Sequence, residues 1–80
     1  MSMKVIFLGR LADLAGTPER ELAAPLDWHA LLAALPSSLA EAARGDRVRV
    51  AINGRVLPEK TALAAQDGDE VALLPPVSGG

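Results

Sequence analysis

The residues best suited to chemistry in this chain stand at its end: Pro75, Pro76, Val77, Ser78, Gly79 and Gly80. The two prolines remove two backbone donors and fix φ, which predicts an extended, stiff stalk. Six residues at about 3.3–3.6 Å each reach roughly 20 Å, far enough to carry a slim tip clear of a fold. The glycine pair lets a backbone enter a channel too narrow for any Cβ and leaves the terminal carbonyl carbon unhindered. A carboxylate is a poor electrophile, because it is charged and has no good leaving group. Transfer of AMP to it removes both faults, and the acyl-adenylate then passes its acyl group to a nucleophile. A sulfur nucleophile leaves a C-terminal thiocarboxylate; a lysine amine leaves an isopeptide bond. Gly-Gly ends arise by chance in roughly 0.5% of chains at ~7% glycine usage, so a functional tail is the better reading than a linker stub. Pro-Pro is also not the composition of a flexible linker.

The rest of the composition excludes most competing chemistry. The absence of cysteine removes disulfides, Cys-ligated zinc, iron–sulfur clusters and cysteine nucleophiles. A single histidine, His29, cannot build a multi-His site, and no metal site is expected. A net charge of −2 and only two aromatics, Phe7 and Trp28, speak against a nucleic-acid partner. No apolar run approaches the roughly 18–20 residues of a membrane span, and Arg10 and Asp13 break any signal-peptide pattern. A cytoplasmic domain with no membrane partner is expected. A chain of 80 residues buries only about 60% of its unfolded surface. That leaves little room for a private cleft and favours a carrier or binding domain over a stand-alone enzyme.

The tail needs a scaffold, and the patterning supplies one. Lys4 to Leu8 is an apolar run suited to a central strand covered on both faces. Met1 to Met3 is assigned no structural role. Asp13 to Pro18 contains Gly16 and Pro18 and predicts a turn. Glu19 to Ala24 reads as a second strand, with Arg20 and Leu22 on one side. Asp27 is a good N-cap, and Trp28, Leu31, Leu32 and Leu35 form the apolar stripe of a helix that Pro36 stops. This places Trp28 in or beside the core and His29 in solvent. Ser38 to Glu41 matches a capping box for a short turn to Arg44, with Gly45 at its C-terminus. Arg47 to Ile52 alternates, with Val48, Val50 and Ile52 inward and Arg47, Arg49 and Ala51 outward. Asn53-Gly54 is a hairpin turn into Arg55 to Leu57. Thr61 to Ala65 is ambiguous, Gln66 to Asp69 is a turn, and Glu70 to Leu74 is the last strand. Asp67, Asp69 and Glu70 are explained by a polar turn or by docking on a basic partner. The first and last strands, the most apolar, are expected side by side and parallel at the centre. The class is α+β: a ubiquitin-like β-grasp with a mixed sheet of four to five strands and one main helix on one face. Residues 1–74 form the domain and residues 75–80 the extended tail.

The run Asp67-Gly68-Asp69-Glu70-Val71-Ala72-Leu73-Leu74, followed by Pro75-Pro76-Val77-Ser78-Gly79-Gly80, resembles the C-terminus of the molybdopterin synthase small-subunit family. That family ends in a Gly-Asp-Glu-Val strand and Pro-Pro-Val-Ser/Thr-Gly-Gly. The similarity extends along the whole chain, through Val5 to Leu8 with Arg10 and Gly16, Trp28 to Leu35, and Val50 to Asn53. Ala12 departs from it where many relatives carry a second basic residue. Leu73-Leu74 departs where relatives often have aromatics.

The resemblance implies a sulfur carrier in molybdenum cofactor biosynthesis. An adenylating enzyme of the ubiquitin-activating type would use ATP and Mg²⁺ to adenylate Gly80, and a sulfur donor protein would convert it to a thiocarboxylate. The tail, Pro75 to Gly79, would thread into a large subunit within a heterotetramer and deliver sulfur to cyclic pyranopterin monophosphate. The chain would bind no cofactor and be a non-catalytic subunit, with the catalytic side chains in its partners. Arg10, Leu73 and Leu74 are implied as partner contacts, Arg10 by a salt bridge to the activating enzyme. Leu57, Leu73 or Leu74, and Val77 are candidates for an exposed apolar patch. The alternatives are a thiamine-pathway sulfur carrier, against which length and the Pro-Pro-Val-Ser stalk speak, a ubiquitin-like protein modifier, and an inert interaction domain.

Overall fold

Apolar alternation sets the first strand, and it begins before Lys4. In the computed structural model, which describes residues 1–76, β1 spans Ser2–Phe7 and buries Met3, Val5 and Phe7 on one face. Met3 is 2% exposed, so the expectation that Met1 to Met3 carries no structural weight is overturned. Pairing with β2 (Glu19–Ala23) extends to Ser2↔Ala23 and draws these residues into the sheet. Lys4 is exposed and Ile6 half-buried, so β1 is covered on one face rather than both.

The other elements are α1 (Arg10–Ala15), β3 (Leu26–Asp27), α2 (Trp28–Ala34), α3 (Ser37–Ala43), β4 (Arg49–Ile52), β5 (Arg55–Val56), a 3-10 turn (Lys60–Ala62), β6 (Ala64–Ala65) and β7 (Glu70–Leu74). The main sheet has the order β2-β1-β7-β4-β5, and β3 pairs with β6 in a small second ladder. The central pair, β1 and β7, is parallel with Val5↔Val71 and Phe7↔Leu73 in register. This is the β-grasp arrangement. The two strands are joined by a long connection that includes the helices, as a parallel pair requires. Asn53 at φ 49° and Gly54 at φ 82° make the tight turn between β4 and β5.

The helices differ from the sequence expectation in number. α1 occupies the start of the stretch expected to turn, and Gly16, left-handed at φ 77°, ends it. Burial of Leu11 against the core explains why so short a helix forms. Asp27 caps α2 as expected, its Oδ1 accepting from the Ala30 N–H at 2.8 Å. α3 starts at Ser37 with Pro36 as the capping position and no side-chain cap bond, so Ser38 and Glu41 form no capping box. Gly45 donates to the Ala42 carbonyl without a left-handed φ. Trp28, Leu31 and Leu35 of the α2 stripe meet Leu39, Ala43 and Leu11 over the inward face of Val5, Phe7, Val50, Val71 and Leu73. Ala51, expected to be exposed, points away from that core and is still buried, flanked by Val56 and Ala72. No helix among the described residues is long and apolar enough to cross a membrane.

Two polar clusters fasten the ends of this frame. The Lys60 ammonium donates to the carbonyls of Ala43 at 2.9 Å, Val48 at 3.1 Å and Gly45, and sits 5.8 Å from the Trp28 ring centroid. Partial burial pushes its pKa below the ordinary lysine value. Lys60→Met removes three charge-assisted bonds across the α3–β4 loop. A loss of about 1–2 kcal/mol is expected, and a thermal melt lower by several degrees checks it. An unchanged melt would show the ammonium to be dispensable.

At the other end, Asp69 accepts from the Gln66 N–H at 2.7 Å and from Asn53 Nδ2 at 3.0 Å, and both bonds lower its pKa. Asn53 Oδ1 in turn accepts from the Glu70 N–H at 2.9 Å. Asp67 Oδ1 accepts from the Ser2 N–H at 2.9 Å, so the carboxylates of Asp67 and Asp69 are both tied into the turn, while Glu70 joins it through its N–H. A depressed carboxyl adds stability above its unfolded pKa of about 3.9 and loses it as pH falls through the folded value. Asp69→Asn is expected to flatten that acid limb in melts taken as a function of pH.

Candidate functional site

The candidate site is the place where β7 leaves the sheet. β7 is held on both sides, by β1 up to Leu73 and by β4 up to Leu74, which pairs with Arg49. The Leu8 N–H still bonds the Leu73 carbonyl at 3.3 Å. Pro75 and Pro76 then offer no N–H, so the ladder cannot continue. The tail therefore springs from the end of the best-supported strand in the molecule. Pro75 is half-buried and Pro76 exposed. The expected tip residues, Val77, Ser78, Gly79 and Gly80, lie outside the described residues.

Pro75 rests against Gly9, a residue that the sequence pattern does not flag. Gly9 has φ 54° and ψ −127°, a conformation L residues avoid, and a Cβ there would lie 3.4 Å from Pro75 Cγ. It turns the chain from β1 into α1 directly beside the base of the tail. Its only signal is a glycine between the apolar run to Leu8 and the Leu11/Leu14 spacing of α1. Gly9→Ala is expected to cost about 1–3 kcal/mol through backbone strain and to shift Pro75. A thermal melt and the backbone NMR shifts of residues 74–76 check this. Wild-type values for both would contradict the role given to Gly9.

The implied contact residues fall in different places. Arg10, expected as a strand-end charge, is the first residue of α1; it is exposed and lines a groove with Pro75 and Pro76. Leu73 is fully buried, 0% exposed, which removes it as a partner contact. Its register with Phe7 and Val50 fixes it on the core face. Leu74 faces the other way and is half-buried. On that outward face the register aligns Ile6, Ala72, Ala51 and Val56 in one row across the sheet. Val56 is 50% exposed, and Leu8, just past β1, is 41% exposed. An apolar sheet face therefore adjoins the tail. Leu57 is not part of it, being packed against the core. Among the described residues no polar or charged side chain is buried. What the described residues present is a stem beside an apolar face, with no enclosed polar cleft.

The fold that carries this stem is shared with known proteins. The ThiS family matches residues 5–80. The chain belongs to the ThiS family. No curated protein matches the ThiS-family chain significantly. Solved structures do. SAMP1 from Haloferax volcanii is 32% identical with a TM-score of 0.70, covering 100% of both chains. Small archaeal modifier protein 1 from Methanosarcina acetivorans is 29% identical, covers 99% of this chain and 96% of its own, and has a TM-score of 0.75. The complex of subunits 1 and 2 of molybdopterin-converting factor from Helicobacter pylori contains a chain that is 26% identical. It covers 100% of both chains with a TM-score of 0.67. The ThiS-family chain is thus a ubiquitin-like sulfur carrier with the β-grasp fold.

Proposed function

We propose that this ThiS-family chain carries sulfur for molybdopterin synthesis on the carboxyl group of Gly80. The observation that carries the reading is the stem: a central strand emerging through Pro75-Pro76 toward Val77-Ser78-Gly79-Gly80, within a family match that runs through Gly80. Residues 1–74 serve as the scaffold and residues 75–80 as the arm. An adenylating enzyme of the ubiquitin-activating type, using ATP and Mg²⁺, attaches the Gly80 carboxylate oxygen to the α-phosphorus of ATP, and pyrophosphate leaves. A persulfide sulfur on a donor protein attacks the activated carbonyl and AMP leaves; a thiol then attacks the donor-side sulfur of the acyl disulfide, forming a disulfide with the donor and releasing the thiocarboxylate. The arm then enters a large subunit, where the sulfur passes to cyclic pyranopterin monophosphate. Two rounds build the dithiolene, in an assembly of two small and two large subunits. The likeness to a chain complexed with subunit 2 in Helicobacter pylori supports the large-subunit partner. The outward apolar face of Leu8, Leu74 and Val56 gives partners a surface beside the arm. This reading sets the work in the cytoplasm and assigns the chain itself no cofactor.

A second reading has its own support. The likeness to SAMP1, at 32% identity, fits a ubiquitin-like modifier whose Gly80 acyl-adenylate is captured by a lysine amine. Only the nucleophile differs. The discriminating experiment supplies Gly80-thiocarboxylated chain, prepared chemically, to the host's large subunit with cyclic pyranopterin monophosphate. Molybdopterin formation and return of the chain to its carboxylate support the sulfur carrier. No product, with lysine conjugates formed in cell extract, supports the modifier. The thiamine pathway remains the answer if thiazole synthesis alone consumes the thiocarboxylate.

A further inference from the structure

The base of the arm is flanked by grooves on both sides, and arginines line them. One, of about 580 Å³, lies between α1 and the α3–β4 loop; Leu11 and Leu14 line it, Arg10 and Arg47 are exposed beside them, and Pro75 and Pro76 form its wall. The other, of about 380 Å³, shares Arg47 and the prolines and adds Arg49 and Leu74. Asp46 is the acid present in both. The charge is thus distributed unevenly along the sheet axis. Asp67, Asp69 and Glu70 stand where β7 begins, and the arginines stand where it ends, roughly 13 Å away at about 3.3 Å per residue. Among the groove residues three arginines thus stand against one acid, Asp46, beside the arm of a molecule whose net charge is −2.

We infer that the larger groove is a docking socket for the large subunit, and that its occupant is an apolar side chain flanked by carboxylates. This rests on the sulfur-carrier reading and deepens it. Any protein that encloses the tip must pass over Pro76, and Pro75-Pro76 is the wall of the groove, so a protein that takes the arm is brought against it. The apolar floor and the guanidinium groups of Arg10 and Arg47 then select the chemistry of what fills it. Leu14 is 41% exposed and gains most from being covered. The two-ended charge pattern turns the molecule arm-first toward an acidic surface and speeds encounter at low salt. The acidic turn at the far end of β7 stays out of this contact.

The test is calorimetric titration of the full chain with the purified large subunit of the same host at about 50 mM and about 300 mM salt. Arg47→Glu and Leu14→Asp are each expected to raise Kd about tenfold or more, with wild-type melts. The Arg10→Glu/Arg47→Glu pair should also lose most of the salt dependence, while Arg55→Glu, on the edge strand β5, leaves Kd unchanged. Groove variants that bind like wild type, with Val56→Asp weakened, would overturn the socket in favour of the sheet face alone. Groove variants that bind more tightly would overturn it too, by showing that the groove holds the chain's own C-terminal residues or a second copy. A wild-type chain that fails to bind the large subunit at all would instead remove the sulfur-carrier reading on which the socket rests.

Discussion

Removing Gly80, or adding one residue after it, abolishes sulfur transfer while the melting temperature stays at the wild-type value. On the sulfur-carrier reading the reacting carbon lies six residues past Leu74, which β4 holds, with β1 holding the neighbouring Leu73. One residue displaces the tip by about 3.3–3.6 Å. Displacements of about 1 Å can already cost about 10²-fold in rate, so a loss of at least that size is expected. Stability should be untouched because, among the described residues, Leu73 is the last member of the core and neither Pro75 nor Pro76 belongs to it. Measuring molybdopterin formation and thermal melting on the same preparations separates the two effects. An extended chain that works at normal rate without being trimmed would contradict the account. Gly79→Val follows the same logic: a branched side chain blocks passage of the arm, and the melt does not move.

Leu73→Ala and Leu74→Ala should give opposite phenotypes despite being adjacent. Leu73 is fully buried between Phe7 and Val50 in the sheet register, and truncating it leaves a cavity. The expected cost is about 2–5 kcal/mol, a large part of the stability of a small domain without disulfides. Leu73→Ala should melt many degrees lower or fail to accumulate. Leu74 lies on the outward face, so Leu74→Ala should keep most of the melting temperature and weaken association with partners instead. Chemical denaturation reads the first and titration with a partner reads the second. Equal destabilisation of both variants would mean that the outward face is covered within the chain itself.

The central part of this fold is legible in the residues. The two most apolar runs, Lys4 to Leu8 and Glu70 to Leu74, are the parallel central pair, and Asn53-Gly54 turns the hairpin as its type dictates. Asp27 caps its helix, and Trp28, Leu31 and Leu35 face the core. What the pattern hides is physically understandable. α1 has six residues, too few for a helical period to stand out, and β3 and β6 have two each. The conformation of Gly9 leaves no mark in its type beyond permissiveness. Leu73 and Leu74 could not be told apart because Ala72 and Leu74 make the outward face apolar too, so no alternation shows which side is covered. Only the register with Phe7 and Val50 decides. Likewise Arg10 and Arg47 are distant in sequence, and only the meeting of α1 with the α3–β4 loop brings both beside Pro75-Pro76. The reading of the arm rests on the residue types from Pro75 to Gly80, whereas the groove beside its base leaves no such mark in the sequence.

Intact-mass measurement after incubation with the host's adenylating enzyme, ATP, Mg²⁺ and a sulfur source tests the central claim most directly. The account predicts that the full-length chain gains the mass difference of one oxygen replaced by sulfur, localised to Gly80, and that without ATP it gains nothing. A chain whose mass stays unchanged under these conditions, or whose native form continues unprocessed past Gly80, would contradict it.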